Sequence, residues 1–237
     1  MKPDPLQLLF YNYKPDISLI NKIIFGKRQV VVLFNDNNLG SCTTLGNEIF
    51  AEKGNLLCPD FKNISHRALL IAYYNALYNN SNKSDGHFDI TEIIDFRKYN
   101  KLVIIGFFRT LVEKLDANYI SSHVFDLHIA NERITNIQFQ NKCISVADAI
   151  IVTATTLLNN TFTNIIENTN SNCDVFLLGP TSILSKQLFF YPNLKYIFGT
   201  VYEDTEKVLK IIEKGGGIKD ISSFMKKTYM KRPENLF

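Results

Sequence analysis

The sequence predicts an α/β protein, with a mostly parallel sheet in the carboxy-terminal part of the chain and a smaller α+β unit before it. Three observations carry this. Beyond Tyr99, short apolar β-branched runs alternate with amphipathic stretches over short connections, the pattern of repeated β-α-β units with right-handed crossovers. Two of those runs, Ala149 to Val152 and Val175 to Leu178, are continuously apolar, as strands buried on both faces are. Each breaks abruptly into small polar or turn-forming residues, Thr153 to Thr161 in one case and Gly179-Pro180-Thr181-Ser182 in the other. Polar groups therefore gather at one edge of one sheet, the edge at which open α/β sheets bind ligands.

The bulk properties fit that class. The chain has 237 residues, 46% of them hydrophobic, enough to bury a sizeable core in one large or two modest domains. A net charge of +3, from 26 basic and 23 acidic residues, is too even to imply nucleic acid or an anionic membrane as partner. No stretch reaches the length of a membrane span, and the run Leu6 to Phe10 is too short for a signal peptide, so a cytoplasmic protein is expected. Cys42, Cys58, Cys143 and Cys173 are scattered without a Cys-x-x-Cys pair and read as buried free thiols.

Taken in order, Asp16 to Phe25 carries apolar residues at roughly helical spacing and is expected to form a helix stopped by Gly26. Gln29 to Phe34 and Gly40 to Leu45, separated by Asn35-Asp36-Asn37-Asn38, read as a hairpin whose second strand carries Ser41, Thr43 and Thr44. Ser65 stands where an N-cap is wanted, before a helix with Leu69, Leu70, Tyr73, Ala76 and Leu77 on the face packed against the hairpin. Asn75 inside that helix is either a core hydrogen-bonder or part of a site. The polar segment Asn79 to Gly86 reads as a linker, dividing the chain into residues 1–86 and 87–237. Asp89 with Glu92 resembles a capping box.

Strands follow at Leu102 to Ile105, His123 to Leu127, Ala149 to Val152, Val175 to Leu178 and Tyr196 to Phe198. Helices are expected at Thr110 to Leu115, Thr161 to Glu167, Ser182 to Phe190 and Glu203 to Lys214, with Gly215 as C-cap. Asn131 to Cys143 reads as a small hairpin, and the basic tail Lys226 to Arg232 as a solvated helix end.

Gly106, after the first strand of the second unit, stands where a dinucleotide-binding loop begins, but Phe108 and Leu111 occupy the positions of its other two glycines. Asp126, twenty residues on, is where an acidic side chain can hold a ribose, and equally where one caps a turn. Thr153, Thr155, Thr156, Asn159 and Thr161 supply hydroxyls and amides without any nucleophile–base pair; Asn160 or Thr161 can also simply cap the next helix. His66, His87, His123 and His128 do not fall at metal-ligand spacing.

These stretches together resemble the family of heavy-metal-chelation domains. The resemblance rests on Ala147-Asp148 leading through Ile151-Val152-Thr153 to Thr161, on Leu178 to Ser182, and on Phe198-Gly199-Thr200-Val201 before a helix ending at Gly215. It includes Ile105-Gly106-Phe107-Phe108 and, in the first unit, Ala72 to Leu77 after the Thr43-Thr44 strand. Ala154, where the family usually has Gly, and Ser182-Ile183-Leu184, where Pro commonly follows, depart from it. The resemblance implies a Rossmann-like carboxy-terminal domain, an amino-terminal domain similar to that of enolase, and a site in the cleft between them.

On that basis the cleft is expected to bind a small polar ligand, a metal chelate or a metal ion; the cofactor is left open, a divalent transition metal being one candidate. Gly106, Phe108, Asp126, Thr153, Thr156, Asn159, Thr161, Gly179, Pro180 and Thr181 form one wall, and Thr43, Thr44 and Asn75 approach from the other unit. Asp126 or His123 is the better candidate for any proton transfer, because hydroxyls and amides titrate far from neutral pH. The alternative is an enzyme using a nucleotide-like cofactor, S-adenosylmethionine or NAD, at the Gly106 and Asp126 edge. Catalysis and self-association as a homo-oligomer are left open.

Overall fold

The computed structural model describes residues 2–80 and 88–234; most of the expected linker, and His87, lie outside the described residues. Asp4 accepts from the amides of Leu6 and Gln7 and so starts helix α1 (Pro5–Asn12), whose Leu6, Leu9 and Phe10 are buried. The expected helix at 16–25 is instead one 3₁₀ turn and strand β1 (Ile20–Phe25). A bulge between Ile20 and Lys22 leaves Asn21 and Lys22 both exposed, so Ile20 and Ile23 acquire a helix-like spacing of three within a strand.

Strands β2 (Gln29–Phe34) and β3 (Leu39–Thr43) complete an antiparallel sheet in the order β1-β2-β3. Val30, Val32 and Phe34 face the main core, and Val31 and Leu33 face a separate cluster with Tyr202, Val208 and Ile212. Helix α2 (Ile64–Tyr78) crosses the sheet, capped by Asn63 and not by Ser65, whose Oγ accepts from Phe50 N. The crossing is so close that a Cβ on Gly40 would lie 2.1 Å from Ala76 N. At the same crossing Asn75 Nδ2 donates to Ser41 O at 2.7 Å, giving Asn75 the core hydrogen-bonding role. α2 is buried on more than the expected face, because it also packs on the second unit.

In the second unit the Asp89–Glu92 capping box opens α3 (Ile90–Ile93). There follow β4 (Leu102–Ile105), α4 (Arg109–Ala117), β5 (Ser122–Phe125), α5 (Gln140–Ser145), β6 (Ala149–Thr153), α6 (Thr155–Leu158), α7 (Phe162–Asn168) and β7 (Asp174–Leu178). The chain ends with β8 (Leu194–Tyr202), α8 (Thr205–Glu213), α9 (Ile218–Ile221) and β9 (Met225–Lys231). The sheet runs β5-β4-β6-β7-β8-β9, parallel throughout except for β9.

Three further expectations are corrected. Residues 131–143 form a 3₁₀ turn leading into α5, with one bridge from Ile134 to Val124, and no hairpin. Residues 182–190 are helical only as a 3₁₀ segment, Lys186–Phe190, because Asn79 takes the backbone bonds a helix would have used: its Nδ2 donates to Ser182 O and its Oδ1 accepts from Leu184 N. The basic tail is an edge strand. Thr228 and Met230 point inward while Lys226 and Lys231 lie in solvent, and lysines on an edge discourage pairing with another chain.

The two units share a core. One apolar cluster joins Leu6, Val30 and Tyr73 to Ile150, Phe162 and Leu177. Inside it lies Arg67, 1% exposed, whose guanidinium donates to the carbonyls of Leu157, Leu158 and Phe61 and pairs with Asp4 at 2.9 Å. Cys42 and Cys173 are buried, Cys143 is half-buried and Cys58 exposed, all unbridged. Burial raises the Cys42 thiol pKa and pushes that of Cys173 up to about 12, so neither is a ready nucleophile.

Candidate functional site

β4 is flanked by β5 on one side and β6 on the other, and the crossovers lie on opposite faces, α4 on one and α5 on the other. In such doubly wound sheets the strand order reverses at this point, and a crevice opens outside the carboxyl ends of the two diverging strands. Here the crevice is a cleft of about 360 Å³. Ile105 pairs with Val152, so Gly106 and Thr153 emerge side by side at its floor. Gly106 has φ +99°, and a Cβ there would meet the Thr153 Cβ at 2.7 Å, which explains why glycine stands at this point.

Asp126 leaves β5 beside them. Its Oδ2 accepts from Phe107 N at 2.8 Å, and its Oδ1 accepts from His128 N and Ile129 N at 2.8 and 3.0 Å. The carboxylate thus pins both the β4 loop and its own turn. Thr153 and Thr155 share a hydroxyl–hydroxyl bond of 3.0 Å, and Thr156 Oγ1 donates back to Thr153 O. Thr161 sits at the N-cap of α7, yet its hydroxyl donates to Asn159 Oδ1 at 2.6 Å and makes no capping bond. That leaves the Asn159 amide nitrogen without a partner among the described residues.

The cleft brings together seven of the residues singled out from sequence: Gly106, Phe108, Asp126, Thr153, Thr156, Asn159 and Thr161. Gly179 and Pro180 line a second cavity, separated from the first by Phe108, which borders both. Thr181 is buried and lines neither. Thr43 and Thr44 open on another depression beside Gly217 to Asp220, and Asn75 lies in the core. The amino-terminal unit instead contributes Leu45, at the mouth of the cleft. Thr43 and Thr44 build the turn that presents it, their hydroxyls accepting from Leu45 N and Gly46 N. Leu45 has φ +52°, a backbone region that bulky side chains rarely occupy and that tends to mark functional positions.

Sequence reasoning missed three features. Leu45, Leu127, Ile129 and Ile137 form an aliphatic mouth, with Leu127 61% and Ile129 46% exposed. His128 lines the cleft, whereas His123 points to solvent from β5 and is no proton carrier for it. Arg67 tethers the carboxyl end of α6 from the other unit. No local pattern marks Arg67 in the sequence; the exposed apolar residues around Asp126 were the available signal for the mouth.

The profile of the family DUF364, described as "Putative heavy-metal chelation", matches residues 89–231, more than half of the sequence, and the chain belongs to this family. A DUF364 protein of unknown function from Pyrococcus horikoshii superposes with TM-score 0.75 at 21% identity, over 90% of this chain and 92% of that one. Another of unknown function, from Desulfitobacterium hafniense DCB-2, superposes with TM-score 0.76 at 18% identity, over 94% and 96%. Both share the fold. No curated protein matches the sequence.

The family description points to metal binding, and the residues can be tested against it. Among the described residues no group of three or more His, Cys, Asp or Glu side chains is arranged to hold an ion. In the cleft only Asp126 and His128 are of that kind, and the Asp126 oxygens already accept three amide bonds. His66 Nδ1 is occupied by Asp60 N. A bare ion held by side chains of this one chain does not fit these residues. No helix among the described residues is long and apolar enough to cross a membrane.

Proposed function

We propose that the cleft between Gly106, Asp126 and Thr153 binds a small organic ligand that presents polar groups to the floor and an apolar body to the mouth. A metal–chelator complex is the form of this ligand that agrees with the family description, because the chelator then supplies the metal's donors and the protein needs none. In this reading the chain divides into units 1–86 and 87–237, and the site lies where they meet.

The observation that carries the reading is the pairing of a hydroxyl- and amide-lined floor (Thr153, Thr155, Asn159) with an aliphatic mouth (Leu45, Leu127, Ile129, Ile137). A hydrated ion has no use for the mouth, whereas ligand pockets of about 300–1,000 Å³ typically combine apolar walls with a few placed polar groups. The nucleotide-cofactor alternative is supported by the position of Asp126 alone, and that carboxylate is already engaged by three backbone amides.

The test is thermal unfolding of chelator-treated protein with nickel(II) alone, with 2,2′-bipyridine alone, and with the nickel–bipyridine complex. Saturation at about 100 times the dissociation constant adds roughly 2.7 kcal/mol, a rise of several degrees for a chain of this size. The complex is expected to raise the melting temperature and the free metal to leave it unchanged. A shift with the metal alone, or with S-adenosylmethionine or NAD, overturns the proposal.

A further inference from the structure

Two cavities open beside the β4 loop. One is the cleft of about 360 Å³ described above, and the other, of about 390 Å³, is walled by Leu111, Leu178, Phe198 and Met225. Phe108 is the one described residue that lines both.

The loop that carries Phe108 fixes where its ring stands. Gly106 leaves β4 at φ +99°, and Phe108 N donates to Gly106 O at 3.2 Å, so the chain doubles back within three residues. Asp126 holds that turn from the side, its Oδ2 accepting from Phe107 N. The ring folds back over the glycine: a Cβ built on Gly106 would lie 3.5 Å from Phe108 Cε2. Phe108 is half-buried and also packs against the apolar cluster that contains Leu111 and Phe198. It therefore stands over the point where Gly106 and Thr153 emerge, anchored on the side of the second cavity. In a dinucleotide-binding sheet this position is a glycine, because the pyrophosphate passes close over the backbone there. Here an aromatic ring fills that passage.

We propose that Phe108 sets the reach of the ligand: it confines the occupant of the cleft to a compact molecule held by one cavity, and bars extended ligands of dinucleotide length that would run on into the second. The inference rests on the ligand-binding reading above and adds to it the residue that limits ligand size.

The test is calorimetric titration of the folded chain with the nickel complexes of 2,2′-bipyridine and of 4,4′-diphenyl-2,2′-bipyridine, which share one metal-binding head and differ in their phenyl arms. The wild type is expected to bind the diphenyl complex about tenfold more weakly than the smaller one. Phe108→Ala should abolish that preference by strengthening the diphenyl complex. Phe108→Leu, which keeps an apolar contact with α4, should give a smaller gain in the same direction. Met225→Trp, added to Phe108→Ala to fill the second cavity, should cancel the gain. Equal affinity of the two complexes for the wild type, no gain in either Phe108 variant, or a gain that survives Met225→Trp would each overturn this inference and leave the ligand-binding reading standing. Binding of neither complex to the wild type would overturn that reading, and this inference with it.

Discussion

Arg67 Nε donates to the carbonyl oxygen of Leu157 at 2.9 Å, across ninety positions of sequence, and this bond fixes the end of the short helix that carries Thr155 and Thr156. The guanidinium also serves Leu158, Phe61 and Asp4. A buried cation is tolerable here because each of its three nitrogens donates to an oxygen and one of those oxygens belongs to a carboxylate.

Arg67→Met removes the charge but strands those acceptors. The expected loss is about 3–5 kcal/mol, read as a lower urea midpoint, with Arg67→Lys retaining only a minor part because a lysine cannot reproduce the planar fork. A loss under 1 kcal/mol would mean that α6 is held by apolar packing alone.

Gly106→Ala adds a Cβ 2.7 Å from that of Thr153, at a backbone angle of +99°. A cost of roughly 1–3 kcal/mol is expected, together with loss of the thermal shift caused by the nickel–bipyridine complex. Retention of that shift in the folded variant would place the ligand away from the β4–β6 crevice.

Leu45→Gly separates strain from binding. Relief of the left-handed backbone at +52° is worth about 1 kcal/mol and is largely offset by the extra chain entropy of glycine, so stability should change little. Chelate affinity should fall several-fold as one side of the mouth is lost, measured by calorimetry. Unchanged affinity would remove the amino-terminal unit from the site.

Asp89 supplies a pH dependence. Burial pushes its pKa up, but the bond and charge of Lys227, the Thr91 amide and the charge of Lys114 outweigh it and hold the carboxyl below its ordinary value. A depressed folded pKa means that the stabilisation is present above the unfolded value of about 3.9 and is lost as pH falls through the folded value. The melting temperature of the wild type should therefore drop more steeply than that of Asp89→Asn between about pH 4 and pH 2. Parallel curves would show that the α3 cap carries no charge-dependent stability.

The alternation of strand and helix after Tyr99, the Asp89–Glu92 box and the family motifs were legible because each depends on neighbours within a few residues. The same locality brought Gly106, Asp126 and Thr153 to one edge, since parallel strands deliver their ends together. β1 and β9 were misread for a physical reason. A bulge disguised the period of one, and the lysines of the other look like a solvated helix until β8 is there to pair with.

The sequence by itself determined which segments after Tyr99 are apolar enough to be strands, where glycine and capping residues interrupt them, and so that the sheet they form is mostly parallel. Only the tertiary structure decided that α6 is held by Arg67, that residues 182–184 give their backbone bonds to Asn79, and that Leu45 rather than Thr43 or Thr44 reaches the cleft. Those outcomes rest on hydrogen bonds and contacts between residues dozens of positions apart, and burial makes such bonds obligatory without leaving any local pattern in the chain.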